Sequence, residues 1–141
     1  MQSKENRKMK ANFLYSAEIK GKTAKFNVNL SIIEFKDKET KTTVVYAPAL
    51  KVYGYGNTVK EARESFNISL LEFFRYTSNK GTFIKEMKKL GWDIKKRKYE
   101  LKLKIPEFTR LLQQDDNLSN IFNQNKKITK YEKKIPLSIS V

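Results

Sequence analysis

Lysine is the residue type with most to offer chemically in this chain. The run Lys95-Lys96-Arg97-Lys98 ends on Tyr99, and a second group, Lys126, Lys127, Lys130, Lys133 and Lys134, surrounds Tyr131. Cations at this density suit phosphate oxygens, each contact adding salt-dependent affinity, and a neighbouring tyrosine ring can stack on a base. Lysines beside strands have a second use, because they discourage edge-to-edge pairing. Both groups are therefore candidate nucleic-acid patches, with solvated loops as the alternative.

Catalytic chemistry is harder to assemble. The chain has no histidine and no cysteine. That removes the commonest general base at neutral pH, the commonest metal ligand and any disulfide. A ribonuclease-H-type centre needs several carboxylates converging on two divalent ions. The segments that read as strands offer only Glu34 and Glu100. Gly54-x-Gly56 precedes a helix start, where anions can be held. It is too short for a dinucleotide or P-loop signature and reads as a tight strand-to-helix joint. The expectation is a protein that is not an enzyme, with no catalytic residues, no metal and no cofactor. The aromatics Phe66, Phe73, Phe74, Phe83 and Trp92 read as core.

The 141 residues carry 30 Lys and Arg against 15 Asp and Glu, a formal charge of +15. The excess runs along the whole chain and is largest in residues 92–141, with twelve basic against six acidic side chains. Such a field attracts nucleic acid or an acidic protein but does not define a site. No apolar run approaches the ~20 residues of a membrane span. The basic N-terminus lacks the apolar core of a secretory signal. A cytoplasmic location, no membrane partner and a homo-oligomer are the expectations.

The elements that must position these residues follow from periodicity. Residues 1–24 read as a basic N-terminal tail with one short apolar piece, Phe13-Leu14-Tyr15. From Lys25 to Phe35, Phe26, Val28 and Leu30 alternate with Asn27, Asn29 and Ser31, which predicts a half-buried strand. Ile32-Ile33 breaks the alternation, by a bulge or by burial on both faces. Strands over Thr42–Tyr46 and Leu50–Tyr55 flank Pro48, which cannot sit inside a central ladder. Thr58 and Glu61 form a capping box that starts a helix. Its expected inward stripe is Val59, Ala62, Phe66, Leu70 and Phe73, widened by Ile68, Leu71 and Phe74. Thr82 opens a second helix, and Gly91-Trp92 suits a Schellman ending. Tyr99 to Ile105 alternates as a fourth strand. Phe108 to Phe122 predicts one interrupted helix or two short ones, broken at Asp115-Asp116-Asn117. Ile135 to Val141 reads as a last short strand.

The stretch Tyr46-x-Pro48-Ala49-Leu50, Gly54-Tyr55-Gly56-x-Thr58, Glu61-Ala62 resembles the HicB family of antitoxins from bacterial toxin–antitoxin pairs. The continuation through Leu71-Glu72-Phe73-Phe74 and Leu90-Gly91-Trp92 is similar to a longer branch of that family, so the resemblance spans roughly residues 25–92. It implies a partial ribonuclease-H-like or double-stranded-RNA-binding-like sandwich. It also implies a small toxin ribonuclease as partner, and a separate C-terminal DNA-binding segment for autorepression. Family antitoxins are often acidic where they meet the toxin, whereas this chain is +15. Residues 106–141 contain no helix-turn-helix pattern, so DNA contacts are not assigned to named residues. The architecture expected is α+β: a small antiparallel β-β-β-α-(α)-β sheet with a helix on one face, in a core over residues 25–105. A charged C-terminal extension over 106–141 completes it.

Overall fold

A 14-residue strand runs through the middle of the sheet. The computed structural model describes residues 14–78, 82–125 and 127–141. Its elements are β1 (Leu14–Lys20), β2 (Thr23–Lys36), β3 (Thr43–Ala47), β4 (Val52–Gly56), α1 (Val59–Thr77) and α2 (Thr82–Lys89). They continue with β5 (Asp93–Lys96), β6 (Glu100–Lys104), α3 (Phe108–Gln114), α4 (Asp116–Gln124) and β7 (Ile128–Ser140). The strands form one curled antiparallel sheet in the order β4-β3-β2-β1-β6-β5, with β7 on the other edge of β2. The class is α+β.

Along β2, Ala24, Phe26, Val28, Leu30 and Ile32 are buried, whereas Lys25, Asn27 and Asn29 are exposed. β7 pairs with β2 in unbroken register from Thr23↔Ser140 to Phe35↔Ile128. Ile32 and Ile33 pair in step with Tyr131 and Lys130, so no bulge lies there. The broken alternation instead marks burial on both faces from Ile32 to Phe35. At that end β3 joins β2, and helices cover both sides of the β3–β4 pair. α1 packs on one face, and α4 reaches the other through Ile121 beside Val44 and Phe35.

The helix α1 starts as the sequence predicts. The Thr58 hydroxyl accepts from the Glu61 N–H at 3.1 Å. The Glu61 carboxylate reaches back one residue further than the usual box, accepting from the Asn57 N–H at 3.3 Å. The buried stripe is narrower than expected: Ala62, Phe66, Leu70 and Thr77. Val59, Ile68 and Leu71 are exposed, correcting their assignment to the core, and Phe73 and Phe74 are half-buried. One short β3–β4 pair under the helix is too narrow to cover the flanks of the stripe.

The Schellman ending of α2 is present. The Trp92 N–H donates to Met87 O at 3.0 Å and the Gly91 N–H to Lys88 O at 3.1 Å, with Gly91 at φ +94°. Trp92 is buried and its indole N–H donates to Ala49 O at 2.8 Å. This ties the chain after α2 to the β3–β4 turn. Asp115 separates α3 from α4 and caps α4, accepting from the N–H groups of Asn117 and Leu118.

Three expectations change. The tail predicted over residues 1–24 includes β1, which pairs with β6 along Leu14–Glu18 and with β2 at Ile19 and Lys20. The extension predicted over 106–141 ends in β7, whose 13 residues reach nearly the length of β2. The basic run is not a loop throughout: Lys95 and Lys96 belong to β5, an edge strand with no clear periodic signal of its own.

Candidate nucleic-acid interface

The chain brings two hairpin turns together at one end of the sheet. The first joins β5 to β6 and contains Arg97, Lys98 and Tyr99, closed by the Arg97 N–H donating to Glu100 O at 2.7 Å. The second joins β1 to β2 through Gly21, at φ +64°, and Lys22. Glycine suits this position because a side chain is disfavoured at positive φ. The Ile19 N–H donates to Tyr99 O at 2.8 Å and links the two turns. Lys20, Lys22 and Lys25 therefore come to the same end as Lys96, Arg97 and Lys98, and all six side chains are exposed.

Tyr99 stands among them with 68% of its surface exposed. The Lys98 ammonium lies 5.3 Å from the centre of its ring. The sequence pattern placed Tyr99 inward on the fourth strand, but β6 begins only at Glu100 and the tyrosine belongs to the turn. On the outer face of this wing Lys95 pairs with Lys102, and Lys104 pairs with Asp93. Two acids interrupt this basic end of the sheet: Glu100, 3.6 Å from the Lys102 ammonium, and its register partner Glu18, which is exposed beside Lys20 and Lys25. Lys20, Lys22 and Lys25 were invisible as part of this site from sequence. They lie about seventy residues from the KKRK run and join it only through the β1–β6 pairing.

The second predicted group does not form one patch. Lys126 lies outside the described residues, and Lys127 is exposed before β7. Along β7 the period of two sends Lys130 and Lys134 to one face and Tyr131 and Lys133 to the other. Lys130 sits over the Phe108 ring at 4.9 Å and 3.3 Å from Glu132. Lys133 sits over Phe66 at 5.7 Å and donates to Asn67 at 2.9 Å. The strands β6, β1 and β2 stand between β5 and β7.

Tyr131 belongs to a lock in which Glu34 is buried, Tyr131 half-buried and Arg63 exposed. Its hydroxyl donates to Glu34 at 2.6 Å, and Arg63 donates to the same carboxylate through Nε at 2.8 Å and Nη2 at 3.0 Å. Burial pushes the Glu34 carboxyl up, but the hydrogen bonds from Arg63 and Tyr131 and the charges of Arg63 and Lys133 outweigh it, so its pKa lies below 4.5. Burial and the bond to Glu34 raise the Tyr131 phenol to about 12. The lock ties β2, α1 and β7 together and leaves Glu34 fully engaged. Glu100 lies on the opposite wing. Among the described residues no three His, Cys, Asp or Glu side chains are grouped so as to hold a metal ion.

The residues that carried the family resemblance act as joints. Tyr46 is buried, its hydroxyl donating to Asp115 at 2.9 Å, and burial followed by the Tyr53 and Asp115 contacts raises its pKa. Pro48 lies in the turn closed by Leu50 N–H to Ala47 O at 3.2 Å, which buries Leu50. Gly54 and Gly56 lie against the first turns of α1, where a Cβ would strike Ala62 and its neighbours. Thr58 and Glu61 cap the helix, and Ala62 is wholly buried beneath it. No helix among the described residues is long and apolar enough to cross a membrane. Comparisons with protein-family models, with curated proteins and with solved structures return no match for this chain.

Proposed function

We propose that this chain is a non-catalytic, HicB-like antitoxin module. On this reading, β2, β3, β4, α1 and β6 form the partial ribonuclease-H-like or double-stranded-RNA-binding-like unit. A small toxin ribonuclease is the partner, held by protein–protein contact. The observation that carries the reading is the joint from Tyr46 to Ala62. Each motif residue there has a geometric task, and the two glycines let α1 lie on β4 at backbone contact. The test is genetic and biochemical. The adjacent reading frame should encode a small basic protein with a catalytic histidine that arrests growth when expressed alone. Co-expression of this chain should relieve the arrest, and the two proteins should co-purify. An isolated gene, or a neighbour whose toxicity this chain leaves unchanged, overturns the proposal.

A second reading is favoured by the paired basic turns: binding of DNA or RNA through Lys20, Lys22, Lys96, Arg97, Lys98 and Tyr99. Nothing in it requires a toxin partner. Affinity should fall steeply with salt, with a log–log slope of about 0.9 per duplex phosphate contacted and about 0.7 per single-strand phosphate. The triple variant Lys96→Gln, Arg97→Gln, Lys98→Gln should lower that slope. A slope unchanged by the triple variant refutes this reading.

A further inference from the structure

At the far end of β2 from the basic turns, three tyrosines form a ladder. β4 sets Tyr53 and Tyr55 two residues apart on one face, and β3 sets Tyr46 directly across from Tyr53. The Tyr46 and Tyr53 ring centres lie 4.0 Å apart at 12°, and those of Tyr53 and Tyr55 lie 5.9 Å apart at 7°. Asp115 anchors the buried end through the Tyr46 hydroxyl. The outer ring, Tyr55, is 55% exposed and ends the stack.

A cleft of about 560 Å³ opens there. Its floor is the cross-strand row Phe35, Val44 and Tyr55. One wall is α4, with Asn117, Asn120 and Gln124, and the other is the β2–β3 loop, with Thr40 and Thr42. Asn117 donates its amide to the Tyr53 hydroxyl. Asn120, Gln124 and the Tyr55 hydroxyl make no side-chain hydrogen bond to another described residue. Lys38 and Lys41 are exposed in the loop beside the lining residues Asp37, Thr40 and Thr42, and the Asp37 carboxylate is taken up by the Thr40 N–H and hydroxyl, each at 2.9 Å.

This combination is selective. A small apolar floor with a few convergent polar groups suits a compact ligand. Parallel rings ending in a half-exposed one suit a flat ligand face. Each amide offers a donor pair and an acceptor, matching the mixed edge of a base. The rim lysines suit a phosphate. A proline-rich peptide also docks on aromatic grooves, but it would leave the amides and the lysines without a task. We propose that this cleft takes a single nucleoside monophosphate group, with the base lying against Tyr55 and its edge toward Asn120 and Gln124. The group comes either from a free nucleotide or from the end of a single strand.

The test is calorimetric titration of the full chain with AMP, GMP, CMP and UMP, with a tetranucleotide, with ribose 5-phosphate and with a proline-rich peptide. At least one mononucleotide should bind saturably. Tyr55→Ala should weaken it about fivefold or more, from the loss of one stacking contact, while Tyr55→Phe retains it. Asn120→Ala, on the exposed side of α4, should weaken it and change the preference among the four bases. A tetranucleotide that binds much more tightly identifies a strand end as the source, and equal affinity identifies the free nucleotide. The triple variant at Lys96, Arg97 and Lys98 should bind mononucleotides unchanged, which separates this cleft from the basic turns. Equal binding of ribose 5-phosphate overturns the proposal, since it reduces the site to its lysines. Binding of the proline-rich peptide alone, or no mononucleotide binding at millimolar concentration, overturns it as well.

Discussion

Replacing Gly54 by alanine tests the packing of α1 most directly. A Cβ at this position would meet the Phe66 N, Ala62 O and Phe66 Cα atoms, all within 2.5 Å, and all three are backbone atoms that no rotamer change can move. Ordinary contact begins near 3.4 Å, so the helix must retreat by about 1 Å. A gap of that size forfeits roughly a quarter to a half of the dispersion energy of each contact it opens. The side chains affected include the fully buried Ala62 and Phe66. Overpacking of this kind costs about 1–3 kcal/mol, and immovable backbone on both sides places Gly54→Ala near 3 kcal/mol. A chain of this length has a total stability of about 10 kcal/mol, and about 3 °C of melting temperature per kcal/mol, so the midpoint should fall by about 9 °C. Urea unfolding followed by far-ultraviolet circular dichroism and by Trp92 fluorescence measures the change. Gly21→Ala is the control: nothing lies within 4 Å of its Cβ, and its φ of +64° alone costs about 1 kcal/mol. A Gly54→Ala loss under about 0.5 kcal/mol at unchanged m-value would refute the close approach of β4 and α1.

Glu34→Gln removes the charge from the lock with Arg63 and Tyr131. The loss at pH 7 should be about 1.5–2 kcal/mol, discounted because Arg63 is 57% exposed. The folded pKa of Glu34 lies below its ordinary 4.5, so its contribution is complete above that value and fades as pH falls through the folded value. Urea melts should therefore show the variant and the parent converging below about pH 4.5, and a constant gap would contradict the lock. Removing residues 128–141 strips β7 from β2 and takes away the buried Ile135, Leu137 and Ile139. Those three side chains alone are worth about 6 kcal/mol, before the lost ladder is counted, so cooperative unfolding should vanish. A truncated chain that still melts cooperatively would rule out the β2–β7 pairing.

Several features are legible in the sequence because their causes lie within a few residues. The alternation from Phe26 to Ser31, the Thr58 cap, the Gly91-Trp92 ending and the break at Asp115-Asp116-Asn117 each depend on neighbours no more than five positions away. The α+β class follows from their order. Ile68 and Leu71 show the limit of such reading: helical spacing groups them with Phe66, but only the width of the sheet beneath α1 decides that they stay in water. Tyr99 failed for a related reason, since alternation carried one residue past the end of β6 turns it inward when it stands in a turn.

By itself, the sequence determined the local elements, the absence of histidine and cysteine chemistry, and a charge of +15. Tertiary structure alone decided how those elements meet. The choice of β7 as partner for β2, a hundred residues away, has no local signature. A half-buried strand specifies which face it buries, while its edges offer the same backbone groups to any partner. Pairing β1 with β6 then carries Lys20 and Lys22 to Arg97 and Lys98. Docking α4 across β3 and β4 sets Tyr55 at the mouth of a cleft. Side-chain patterns encode burial; only closure of the long-range ladders sets which polar groups come to share a surface.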